Sequence, residues 1–409
     1  MFMSNRKIAI QRRPEECGQT IVLVAIALVS LLGMAALAID VTTLYVARGE
    51  MQRAADAAAL AGAKAFVDSG ITTDTANATR QAMAQTMATS VINSILAQNK
   101  ISGAPPVLAA APAFDFTRPG NPQISVTLQR TNLPTFFARI WGTKLVTVTA
   151  SAIAEAYNPS NAPAGYPPIR PQCVKPLLVA NQDPKSAGPS QFVNPTTGAP
   201  VAANVIGEAV QLTPCTGACP PVAGALQFRP AQVVASATNL CPGTCSPPAS
   251  AYESGIECCD SANTYTCGTV NPLPPNPVVD PGLANPQLST QTNQGLQCLT
   301  NHPAVDTLDP TDLSAGTGPA RITAGSGPQS GNLVTTSRSI ATFPIIEDLS
   351  ATPLHVIGFL QLFVDPVSPT VPTNTPAHIL NVVGCGNNPG APPAVLGGGF
   401  SPIPVRLIH

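Results

Sequence analysis

Residues 19–65 read QTIVLVAIALVSLLGMAALAIDVTTLYVARGEMQRAADAAALAGAKA, and the two halves of this stretch set the course of the chain. Residues 21–39 carry no charge and are almost wholly apolar, and Asp40 closes them. A helix needs about 20 such residues to cross a bilayer core. Within lipid, a helix is the only single-segment way to satisfy every backbone N–H and C=O. Asp40 then marks the membrane exit, because an unpaired carboxylate at mid-bilayer depth is costly. Beyond it the sequence stays rich in Ala, Leu, Met, Gln and Arg and lacks proline, so helix is expected to continue. Leu44, Met51, Ala55, Ala58, Gly62 and Ala65 fall on one line of that helix. Most of these side chains are small, which predicts a docking face where another helix backbone approaches closely. Asp56 is expected on the solvated side of the same helix.

The rest of the chain is bounded by composition. Charged residues make up only 10% of it and the net charge is −1, well below the roughly 25% charged content of ordinary soluble domains. No basic stripe exists to hold nucleic acid. Of the 45 prolines, all but Pro14 lie after residue 100, which confines long helices to the N-terminal quarter. Arg6, Lys7, Arg12 and Arg13 precede the span. The positive-inside rule therefore puts residues 1–18 in the cytoplasm, residues 19–40 across the membrane and everything later outside. A cleavable signal peptide is the alternative, with an A-x-A-like site at Ala36, Leu37 and Ala38.

Cysteine usage fits an oxidising compartment. Cys17 precedes the span. The other ten are Cys173, Cys215, Cys219, Cys241, Cys245, Cys258, Cys259, Cys267, Cys298 and Cys385. An even set on one side of a membrane predicts disulfides. The CxxxC pairs at 215/219 and 241/245 also suit zinc. The adjacent Cys258 and Cys259 and the lack of nearby His favour disulfides instead.

Further along, a second helix is expected from an Asp74 cap to Gln98, with a ridge of Met83, Met87, Val91 and Ile95. Residues 41–104 thus form an outer helical hairpin. Residues 105–157 read as a small β-rich module. There Ile124, Val126 and Leu128 alternate with polar residues, as do Val146, Val148, Ala150 and Ala152. Between these strands Phe136, Phe137, Ile140 and Trp141 suggest an aromatic plug. Residues 158–335 are Pro-, Gly- and Cys-rich and read as a loop-like insertion stapled by cross-links. Residues 336–409 predict a C-terminal β unit. In it LHVIGFLQLFV (354–364) is apolar enough to be a central strand buried on both sides and too short to span a membrane. The fold class is therefore α+β.

Little in the chain suggests catalysis. Asp306, Asp309 and Asp312 lack EF-hand spacing. His302, His355, His378 and His409 stand in no hydrolase or metalloprotease motif, and no Gly-rich phosphate loop is present. No enzyme activity, cofactor, metal or small-molecule substrate is expected.

Residues 18–66 also carry a resemblance. Gly18-Gln19, the apolar span ending Ala38-Ile39-Asp40, then Leu44-Tyr45-x-Ala47-Arg48, and the block QRAADAAALAGA (52–63) resemble the N-terminal module of TadG-like (TadE/TadG-related) Flp pilus-assembly proteins. The resemblance implies a bacterial membrane protein whose partners are inner-membrane or pilus subunits of a Tad/Flp system. Pilins of this class carry Glu five residues past a prepilin-type cut. A cut after Gly18 would place Leu23 there. The reading is a single-pass, non-enzymatic structural component of a pilus or related secretion apparatus. The alternative is a membrane-tethered surface binding module or adhesin whose disulfide-rich region contacts a ligand. The Asp-x-Ser-x-Ser signature of an adhesion domain is incomplete at Asp312-Leu-Ser-Ala-Gly316.

Overall fold

A computed structural model describes residues 16–118, 121–142, 145–158, 169–185, 190–201, 204–215, 219, 221–233, 248, 250–260, 263, 265–267, 285–300, 305–351, 354–367, 374–386, 395–396 and 401–408. The expected cytoplasmic segment, apart from its last three residues, lies outside them, as do Cys241 and Cys245.

Because no proline interrupts residues 15–104, one helix, α1 (Glu16–Asp68), runs unbroken through span and Ala block. At 1.5 Å per residue it is about 80 Å long. It ends at Ser69 and Gly70, whose amides bond back to Ala65 and Val67. Gly70 takes φ +71°, and a Cβ there would meet Ile206, so the position needs glycine on both counts. α2 (Ala78–Gln98) folds back along the outer half of α1. Its cap is Asn77, whose side chain accepts the Arg80 amide at 3.1 Å. The expected cap, Asp74, instead accepts the Ala76 amide within the preceding turn. The buried face of α2 also sits one residue round from the expected ridge. Met83, Ala84, Ala88, Ile92 and Leu96 are buried, while Val91 is exposed and Met87 and Ile95 are half-buried. Against an alanine-lined helix, closest packing places Ala84 and Ala88 at the contact and the longer side chains at its flanks.

α1 covers an antiparallel sheet of β1 (Val107–Leu108), β2 (Ala113–Asp115), β3 (Gln123–Pro134) and β4 (Leu145–Ala156). As the alternation predicts, Ile124, Val126 and Leu128 on β3 and Val148, Ala150 and Ala152 on β4 point into the core.

The chain then passes through β5 (Ile169–Arg170) and supplies β6 (Leu177–Ala180), β7 (Ala209–Pro214) and β8 (Ala225–Pro230). Next come α3 (Ala251–Glu257), α4 (Asn285–Thr300), β9 (Thr307–Asp309), α5 (Thr311–Ala315), β10 (Arg321–Thr323) and β11 (Leu333–Val334). The three short strands β9, β10 and β11 form a small sheet of their own. Finally β12 (Ile340–Ile346), β13 (Val356–Val364) and β14 (Thr375–Gly384) are followed by β15 (Val395–Leu396), which pairs with β5, and β16 (Val405–Ile408). Strands β12, β13, β14, β7, β8 and β6 close a barrel. The stretch expected as a loop-like insertion therefore builds half of that barrel. β13 is the central strand anticipated, buried along its whole length. Leu360 and Leu362 belong to the barrel core and Phe359 to the core beneath α1.

The C-terminal tail, which has no pattern to read, returns to the first module. β16 pairs with β4, Val405 opposite Ala156 and Ile408 opposite Ile153. Arg406 pairs with Glu155 at 2.6 Å and stacks over the Tyr157 ring. Among the described residues the boundary drawn at 335 is thus crossed by the pairings β5–β15, β6–β12, β7–β14 and β4–β16, and the last also crosses the one at 157.

Candidate functional site

Four features of α1 and its surroundings bear on function. The first is the bare N-terminal half. From Ile21 to Ile39 the large side chains, among them Leu23, Leu31, Met34 and Leu37, are uncovered, and Ala36 alone of this run is buried. Thr20–Asp68 is long and apolar enough, by length and composition, to cross a membrane.

The second is Asp40, only 3% exposed. Its carboxylate accepts the backbone N–H groups of Phe136 (2.8 Å), Phe137 (2.9 Å) and Ala138 (2.6 Å). These amides lead into a short 3-10 turn, Ala138–Trp141. Such N-terminal amides have no partner inside their own turn, and an ionised acceptor makes hydrogen bonds to them roughly twice as strong as neutral ones. Of the expected aromatic plug, Phe137 is half-buried, and the side chains of Ile140 and Trp141 lie outside the described residues. Phe136 is 62% exposed, and its segment is hung on the helix by its backbone.

The third is the small-residue line. Met51, Ala55, Ala58 and Ala65 are buried, Leu44 is half-buried, and a Cβ at Gly62 would meet Ile124 and Ile92. The face expected to receive a partner helix is filled by β3, β4 and α2 of the same chain. Small side chains let another backbone approach closely. That backbone belongs to this chain's own sheet. Asp56 lies half-buried beside this face and accepts a hydrogen bond from Gln52 at 2.8 Å.

The fourth is the joint at the far end of α1. Arg80 is buried, and its guanidinium donates to the carbonyls of Ser69 (3.3 Å), Leu313 (3.1 Å) and Ile206 (3.4 Å). Two of those carbonyls sit at the C-terminal ends of α1 and α5, where a cation is favoured. Burial lowers the Arg80 pKa, opposed by the Asp74 carboxylate. Asn381 joins the same seam, its amide reaching Val67 and Gln361. Arg80 is the single charge in α2, and a lone charge on an otherwise uncharged helix is the signal that points to it.

With this geometry in view, comparison with known families bears on the same segment. Residues 18–65 match the family model described as "Putative Flp pilus-assembly TadE/G-like". The TadE/G-like segment coincides with α1 almost end to end. It therefore holds the bare cylinder, the Asp40 knot and the alanine face together. No curated protein and no solved structure matches the chain.

Disulfides form after residue 170. Cys173 bonds Cys259, Cys215 bonds Cys219 and Cys267 bonds Cys385. Cys258 and Cys298 are also oxidised. Beside them Lys175 is buried and donates to the Cys258 carbonyl at 2.8 Å. Burial pulls Lys175 down to about 7, against the pull of Asp260 and Glu257. Burial and then the Glu253 charge push Glu257 up to about 7. The three spaced aspartates serve turns. Asp306 accepts from Gly325 and Ser337, Asp309 accepts the Thr311 amide, and Asp312 pairs with Arg321. Among the described residues no group of three or more His, Cys, Asp or Glu side chains is placed to hold a metal.

Proposed function

We propose that the protein is a membrane-anchored, non-enzymatic structural component of a Flp-type pilus-assembly or related secretion apparatus. The observation that carries this reading is the continuity of α1. The TadE/G-like helix leaves its apolar half bare and locks its other half into a folded, disulfide-bonded body. A helix so built transmits position. It fixes the sheet and barrel at a set height above the bilayer, with no flexible linker between anchor and body. The basic residues before the span orient the N-terminus to the cytoplasm, and the disulfides suit the outer face.

Partners in this reading are inner-membrane or pilus subunits. They meet the span within the membrane or the outer body, because the alanine face is already occupied. The test is crosslinking in native membranes followed by purification of the tagged full-length protein. Recovery of Flp-type pilus-assembly proteins with it is expected. Their absence, with the protein itself intact and membrane-bound, would overturn the assignment.

A further inference from the structure

The segment that Asp40 holds carries exposed side chains. Phe136 is 62% exposed. Leu145, whose register partner is Pro134 at the same end of the β3–β4 pair, is 56% exposed. Arg139 on the turn is exposed as well. Depth gives these side chains a meaning. Residues 21–39 rise about 28 Å as a helix, which matches a hydrocarbon core of about 30 Å. Asp40 then sits at the boundary between acyl chains and headgroups. Because its carboxylate touches the amides of Phe136 to Ala138, the turn lies at that same depth. On α1, Val41 and Tyr45 are exposed just beyond Asp40, Tyr45 at 79%.

We infer that Phe136, Leu145 and the turn Ala138–Trp141 enter the outer interfacial layer of the membrane that α1 crosses, so that the body has a second foot in lipid. The occupant of this surface is the bilayer itself. The aromatic ring and Leu145 lie among the upper acyl chains, and Arg139 meets headgroup phosphates. Aromatic side chains favour this layer because one part of it is apolar and the other wet. The three hydrogen bonds from Asp40 make the foot rigid. A single helix leaves the body free to rotate about its axis and tilt, and two attachments remove much of that freedom. The inference rests on α1 being a membrane span and is continuous with that interface.

Trp141, the last residue of the turn, is the only tryptophan in the chain, so its fluorescence reports on this place alone. Full-length protein is reconstituted into phosphatidylcholine–phosphatidylglycerol vesicles. The acyl chains carry bromine either close to the headgroup or near the terminal methyl. Strong quenching by the shallow bromines and weaker quenching by the deep ones is expected. The double substitution Phe136→Ser and Leu145→Ser alters two exposed side chains and should leave the disulfides and protease resistance intact. It should abolish most of the shallow quenching. Absence of quenching by either lipid, in protein that resists alkaline carbonate extraction, overturns the inference while leaving the span standing. So does wild-type quenching in the double variant. Release of the protein by carbonate removes the span, and the inference with it.

Discussion

Asp40 shows how one side chain can serve a distant segment. Its three partners lie 96 to 98 residues further on, so nothing near it in the sequence announces them. What the sequence does reveal is that a carboxylate stands where the apolar run stops. Asp40→Asn keeps the shape and removes the charge. Hydrogen exchange of the Phe136, Phe137 and Ala138 amides should then become faster while the amides of β4 keep their protection. Unchanged exchange at those three amides would mean that the carboxylate does not hold the turn. A different residue sets a pH dependence. Glu257 is buried beside Glu253, and its carboxyl is raised from 4.5 to about 7, with Lys175 pulling the other way. The folded chain keeps a proton that the unfolded chain releases above about pH 4.5. The stability this confers is full below that pH and is lost as pH rises through about 7. Glu257→Gln should therefore flatten the fall in denaturation midpoint between these two pH values. A slope identical to wild type would exclude Glu257 as its source.

At the scale of the element, α1 and α2 are the most legible parts and also the most instructive to compare with expectation. A proline-free, Ala-rich run after an apolar span forms one helix, and small side chains on one line signal close packing. Periodicity could not say what packs there, since a sheet and a partner helix both ask for small residues. Ala58→Leu now has a definite outcome. It forces a larger side chain between helix and sheet, and overpacking of this kind costs about 1–3 kcal/mol. Ala57→Leu, about 100° round the helix and half-buried, should cost much less. Urea denaturation of the two variants measures the difference, and membrane insertion should be unaffected in both. Equal stability would mean that the face is looser than its buried alanines indicate. Among the strands, β13 is readable because a long apolar run can only be buried on both sides. β6, β7 and β8 have four to six residues each, and β7 and β8 end in proline. Val210 and Leu212 do alternate in β7, but a run so short carries little signal amid Pro, Gly and Cys.

The whole molecule is a bare helix, a helix-covered sheet and a barrel, tied together by side chains from remote parts of the chain. That the described cysteines after residue 170 are oxidised is legible from their number and placement, whereas their pairing is not. Of the three bonds described, Cys267–Cys385 closes the longest loop, with a separation of 118, and Cys215–Cys219 the shortest, with a separation of 4. On the chain-entropy view the first is worth about 5 kcal/mol and the second about 2. Replacing both members of each pair with serine, one pair at a time, should lower the thermal midpoint more for 267/385. A larger loss from 215/219 would show that the short clip, and not the long one, secures the barrel. The return of β16 to β4 has a consequence for biogenesis. Glu155 and its partner Arg406 stand 251 positions apart. At synthesis rates of about 5–20 residues per second, on the order of 10–50 s separate the emergence of one from that of the other. During that interval β4 is an unpaired edge, open to pairing with any other extended segment. Folding of this protein thus includes a waiting period that ends only when the four residues of β16 emerge, so a holding factor or slow, ordered delivery of the chain would act in that window.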